Sequence, residues 1–140
     1  MTPTPIDTDA LLAAIGQDAD LIKQVRRRIA LASLGLITAR INADHPAARY
    51  LELGYSIDMK TYEGRTVPGR VWLADTETSG RWRACLDDDA RDDLAGWCVH
   101  IGNDVERLLP EVWHRDERTG LNAVSLNAVT VLVGRTGEPL

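Results

Sequence analysis

A chain of 140 residues with 44% hydrophobic and 26% charged content is long enough to bury one hydrophobic core without staples, and too apolar to be disordered throughout. Its net charge of −5 works against non-specific attraction to nucleic acid or an anionic membrane, and no apolar run reaches the roughly 20 residues of a spanning helix. The two cysteines, Cys85 and Cys98, make no disulfide framework, and the start MTPTPIDTD has neither the basic nor the apolar region of a secretory signal, so free thiols and a cytoplasmic location are expected. Arginine outnumbers lysine 14 to 2 and phenylalanine is absent, a bias that points to GC-rich coding.

In chain order, residues 1–6 read as a frayed tail. Asp7 is a good N-cap before Leu11, Leu12 and Ile15, and Gly16 a good stop, which predicts a short helix over about 8–15. Asp18 can cap a second helix over about 19–43, in which Leu21, Ile22, Val25, Ile29, Ala32, Leu36 and Ile37 make an apolar stripe. Beyond Ile29 apolar residues fall on further faces, which predicts cover from several sides, a second copy being one source of it. Pro46 ends this helix.

Leu51, Leu53, Tyr55 and Ile57 then alternate with Tyr50, Glu52, Gly54 and Ser56, the pattern of a strand with one buried face over 49–58. A turn region over 60–68, a strand over 70–75, a polar turn over 76–80 and a short strand over 81–85 suggest an antiparallel meander. From 86 to 109, Ala90, Leu94, Trp97, Cys98, Ile101, Val105 and Leu108 lie at helical spacing, with Asp87, Asp88 and Asp89 at the end where the macrodipole favours negative charge. Residues 111–120 read as a loop or the first arm of a hairpin, 121–133 as the last strand, and 134–140 as a polar tail. Strands grouped between helices indicate a single α+β domain over 1–140, with an N-terminal helix pair, an antiparallel sheet of three to five strands, and one long amphipathic helix before the last strand.

Trp72, Trp82 and Trp113 stand in arginine-rich polar segments, beside Arg70, Arg81 and Arg83 in the first two cases. Exposed Trp and Arg are the commonest binding hot spots, so these six residues form the favoured binding surface. The bland alternative is that amphipathic Trp covers a sheet face with Arg stacked over it. Lys23, Arg26, Arg27 and Arg28 make a basic patch that could meet phosphate or an acidic partner, or be the solvated side of a helix. His100 and Asp104, one helical turn apart, could with His114 build a polar site. Neither metal-ligand spacing nor a glycine-rich phosphate loop nor a nucleophile motif is present, so no catalytic residue, metal or cofactor is assigned.

The stretch ITARINADHPAARYLEL, residues 37–53, resembles small uncharacterised proteins of actinobacteria and their phages, in which a long N-terminal helix ends in an Asp/His-Pro break before an alternating strand. The resemblance covers about the first 60 residues and implies no activity. The reading is therefore a cytoplasmic, non-enzymatic binding or regulatory protein, encoded by a phage or mobile element, whose partner is another protein or itself. The alternatives are a small enzyme built on His100, Asp104 and His114, and a nucleic-acid-associated factor using the basic patch.

Overall fold

Asp7 opens the first helix by accepting a hydrogen bond from the Ala10 N–H at 3.0 Å, satisfying one of the unpaired donors of the first turn. The helix then runs without interruption over Thr8–Asp44 (α1), 37 residues or about 55 Å at 1.5 Å per residue. The expected helix pair is thus one helix. Glycine ends a helix by taking a positive φ just past it; among the described residues only Gly120 is a glycine with a positive φ, and Gly16 stays helical. α1 closes where the proline demands, with the His45 N–H donating to Ile41 O at 2.7 Å.

The computed structural model describes residues 4–73 and 82–136. After α1 come β1 (Ala48–Ile57), β2 (Gly64–Leu73), β3 (Trp82–Ala84), α2 (Asp88–Cys98), α3 (Val105–Leu108), a 3-10 turn (Pro110–Val112), β4 (Trp113–Asp116), β5 (Leu121–Ser125) and α4 (Leu126–Thr136). The strands form one sheet in the order β3-β2-β1-β5-β4, every neighbouring pair antiparallel. The α+β class stands, with five strands at the upper end of the expected range.

Two elements depart from their sequence pattern. The helix expected over 86–109 stops at Cys98, where the His100 and Ile101 N–H groups reach back only three residues, to Trp97 O and Cys98 O. Ile101, Val105, Leu108 and Leu109 beyond the turn still reach the core. The turn closes at Gly102, where a Cβ would sit 2.7 Å from Asp104 Oδ1. The strand expected over 121–133 ends at Ser125, whose Oγ accepts from the Ala128 N–H at 3.2 Å and caps α4. The apolar run 129–133 is therefore helical, with Leu126 and Val129 buried and Leu132 packed against the core. Three-residue spacing of the buried positions overrides the strand propensity of valine and threonine.

The core lies between one face of the sheet and the helices. Leu34, Ile37 and Ile41 of α1 belong to one cluster with Leu51, Val71 and Val124 of the sheet and with Leu94, Leu109 and Val129. Two bulges set which side chains face this core. The pairs Ala48↔Leu73 and Tyr50↔Trp72 leave Arg49 as an extra residue on β1, and Leu51↔Val71 and Leu53↔Pro68 place Gly69 and Arg70 opposite Glu52 alone. The first lets Ala48 and Leu51 both turn inward and Tyr50 outward. The second brings the β2 backbone so near β1 that a Cβ at Gly69 would lie 2.7 Å from Glu52 O.

Gly69→Ala is expected to lower unfolding free energy by about 1–3 kcal/mol, because backbone on both strands must shift. Gly16→Ala, whose Cβ meets nothing within 4 Å, should raise helicity and stabilise the helix by about 0.5–1 kcal/mol. Denaturant unfolding followed by circular dichroism measures both, and equal effects would refute the bulge argument.

Candidate functional site

The face of the sheet opposite the core gathers part of the favoured binding surface. Residues paired across strands share a face, so Arg83, Trp72, Tyr50 and Ser125 form one row across β3, β2, β1 and β5. Arg70 stands near Trp72 with its guanidinium carbon 5.3 Å from the ring centroid. Half-buried Glu52 accepts from Arg70 Nη2 at 3.0 Å and from the Trp72 indole N–H. One carboxylate thus holds both an arginine and a tryptophan, and the arginine lies over the ring. This is the arrangement of a Trp that covers a sheet, with its polar edge satisfied inside the fold.

Of the other members of the expected surface, Trp113 lies on the core side of the sheet. Trp113 packs against the core cluster and donates its indole N–H to Asn122 on β5. Arg81 and the side chain of Trp82 lie outside the described residues, although the Trp82 backbone pairs with Leu73. Tyr50 was not singled out by the sequence, yet it stacks on His114 with centroids 4.6 Å apart and planes 27° apart. The alternation that turns Leu51 inward turns Tyr50 outward, so its face was legible. Its ring partner depends on β5 and β4 lying beside β1, which no local pattern records.

The polar site expected from His100, Asp104 and His114 is not assembled. His114 sits on the outer face of the sheet, whereas His100 lines a hollow of about 60 Å³ beside Arg26, Ile29 and Ala30 of α1. Asp104 is held by Arg26 at 2.6 Å, and that guanidinium draws its carboxyl below the usual carboxylate range. Among the described residues no three His, Cys, Asp or Glu side chains gather closely enough to hold a metal ion.

The basic patch likewise has an internal use. Arg27 donates to Leu108 O at 2.9 Å and pairs with Glu111, whose carboxyl it holds below the usual value. Two of the four cations therefore tie α1 to the segment around α3, while Lys23 and Arg28 remain exposed.

Those ties mark where α1 leaves the body. Every residue from 8 to 24 is exposed and the first buried one is Ala30. This free stretch is nevertheless apolar along one side. Leu11, Leu12, Ile15, Leu21, Ile22 and Ile29 are all exposed, and an open groove of about 330 Å³ runs beside Ile22, Lys23 and Arg26 toward Asp104 and Arg107. A second exposed apolar group caps the β1–β2 hairpin, where Met59 and Tyr62 are 76% and 80% exposed and Tyr62 takes a positive φ of 59°.

No helix among the described residues is long and apolar enough to cross a membrane. Compared with protein-family models, curated proteins and solved structures, the chain matches none of them.

Two measurements test the electrostatics. Burial pushes the Cys98 thiol up to about 11, while Cys85 is exposed. A thiol reagent at neutral pH should therefore modify Cys85 and spare Cys98 until the chain unfolds; equal labelling of the native protein would contradict the burial. The ties of Arg26 and Arg27 depress the folded-state pKa values of Asp104 and Glu111 below 3.8 and 4.5. Their contribution is complete above those values and is lost as pH falls below them. Arg27→Gln is expected to cost about 1 kcal/mol at pH 7, discounted for its partial exposure, and to cost less at pH 3; a cost independent of pH would refute the pairing.

Proposed function

We propose that this chain is a non-enzymatic, cytoplasmic binding protein that works through protein–protein contacts, and that the first half of α1 is its docking element. The observation that carries the reading is the combination of an uncovered helical stretch over 8–24 and a row of large exposed aliphatic side chains along it. Isolated helices are marginal in water, and most helical stability in proteins comes from packing an apolar face. Contiguous exposed apolar surface of this kind marks an interaction site more often than an unused one.

Other surfaces offer less. The sheet face around Trp72 has its carboxylate, arginine and indole engaged with one another. A His-based enzyme would need His100 and His114 together, and they flank different layers. A nucleic-acid surface would need the basic patch free, and Arg26 and Arg27 are bound to Asp104 and Glu111.

The chain has two lysines, Lys23 on the free half of α1 and Lys60 on the hairpin, so a lysine-reactive cross-linker distinguishes the two exposed apolar sites. Cross-linking in cells, followed by mass spectrometry, is expected to place intermolecular links at Lys23 and to lose them in the Ile15→Asp, Ile22→Asp double variant. That variant should keep its thermal midpoint, since neither side chain packs in the core. Links confined to Lys60, or links at Lys23 that survive the double variant, would overturn the reading.

A further inference from the structure

The exposed aliphatic residues of α1 are not scattered. Ile15, Ile22, Ile29 and Leu36 follow at steps of seven, with Leu11, Asp18, Val25 and Ala32 interleaved three and four residues away. This is a heptad in which the first set takes position a and the second position d. The four a residues are 65%, 60%, 46% and 51% exposed. The seam continues past the point where α1 joins the body: Ile29 and Leu36 stay exposed although their neighbours Ala30 and Ile37 are buried. A second helix can therefore lie along it without displacing the protein's own core.

We propose that this seam pairs with the same seam of a second copy of the chain, as an antiparallel two-helix coiled coil; the proposal rests on the reading of α1 as the docking element. Charge decides both partner and direction. Between residues 7 and 20 the helix and its cap carry Asp7, Asp9, Asp18 and Asp20 and no cation, whereas 21–28 carries Lys23, Arg26, Arg27 and Arg28 and no anion. The segment is thus complementary to its own reverse. A parallel pair would set Asp18 against its own copy in the seam and the basic stretch against itself, and like charges at such sites are destabilising. The antiparallel pair about residue 20 sets the basic stretch 21–28 against 12–19, which carries Asp18 and no cation. Arg26 and Arg27 are already engaged with Asp104 and Glu111, which leaves Lys23 to meet Asp18 of the other copy.

The heptad also gives a register. Position a meets position d in an antiparallel pair, so Leu11 lies against Ile29, Ile15 against Val25, and Asp18 against Ile22 with Lys23 one residue on. The two-fold axis then crosses near residue 20, where Ala19 and Leu21 approach their own copies from either side. The contact is isologous and closed, the commonest form of oligomer. It covers the otherwise bare stretch 8–29, which explains how a helix of this length is maintained outside the body.

Sedimentation and light scattering on the purified chain test the partner, and a spin label tests the direction. In a Cys85→Ser background, with Cys98 buried, a label at Ala10→Cys sits on the solvent side of the seam. The wild type is expected at twice the chain mass and Ile22→Asp at the single chain mass, with the near-ultraviolet circular dichroism of the packed body retained and a thermal midpoint that no longer rises with protein concentration. The two labels should be about 30 Å apart along the axis, from 1.5 Å per residue and a centre at residue 20. Labels separated by little more than the 8–10 Å between paired helices would mean a parallel pair and overturn the proposal. A dimer unaffected by Ile22→Asp would do so as well, because another surface would hold it. A monomeric wild type also overturns it, and cross-linking then separates the two claims: links from Lys23 to a different protein keep the docking reading, and no links at Lys23 remove both.

Discussion

The second half of α1 is the constraint on which the rest of the structure depends. Ala30, Leu34, Ile37 and Ile41 are almost completely buried, in one cluster with residues of the sheet and of α2, α3 and α4. A five-stranded antiparallel sheet has one face that must be covered, and here α2 packs on β2 and α4 on β1, with α1 packed against both of those helices. The chain breaks after Cys98 and after Ser125 serve the same end. After each break the chain returns to α1, against which both α3 and α4 pack.

Because the body spans only the later turns of α1, the earlier turns project. Their direction is set by polar contacts rather than by core packing. Arg26 reaches Asp104, and Arg27 reaches both the Leu108 carbonyl and Glu111. The basic cluster that reads in sequence as an attractor of foreign anions is thus largely an anchor for the helix. A similar internal economy operates on the outer face of the sheet, where Glu52 holds Arg70 and Trp72 across a bulge. In both places arginine binds a carboxylate of its own chain, so local net charge is small where sequence alone suggests a charged patch.

These internal pairings narrow the surfaces open to a partner. The apolar side of the projecting helix and the tip of the β1–β2 hairpin expose large hydrophobic side chains outside the packed body, and the helix carries the more ordered pattern. Its aliphatic residues keep one seam over several turns, and its charges change sign along its length. Together these features give a surface with a defined length and direction, which is what separates a docking element from incidental exposed leucine and isoleucine.

Sequence determined the fold class, the starts of α1 and α2, the end of α1 at Pro46, the inward position of Leu51 on β1, though not of Tyr55 and Ile57, which are exposed, and the apolar periodicity along α1. Each rests on local chemistry: an aspartate that caps, a proline that cannot continue a helix, an alternation or a three-and-four spacing. It also contained the heptad and the reversal of charge in α1. Whether those side chains were core or surface was beyond its reach, because one amphipathic stripe suits a buried helix and a projecting one equally well. The tertiary structure decided that, and it decided four further matters. It carried α1 through Gly16, since no tertiary contact there favours a turn. It converted residues 126–133 from strand to helix, since burial at three-residue spacing outweighs the propensity of valine. It divided Trp72 and Trp113 between the two faces of the sheet and brought His114 to Tyr50, through a strand order joining residues far apart in the chain. It consumed Arg26 and Arg27 in ion pairs whose carboxylates lie about 80 residues away. Contacts at that separation leave no periodic trace in the sequence, and they determine which polar groups remain for a partner.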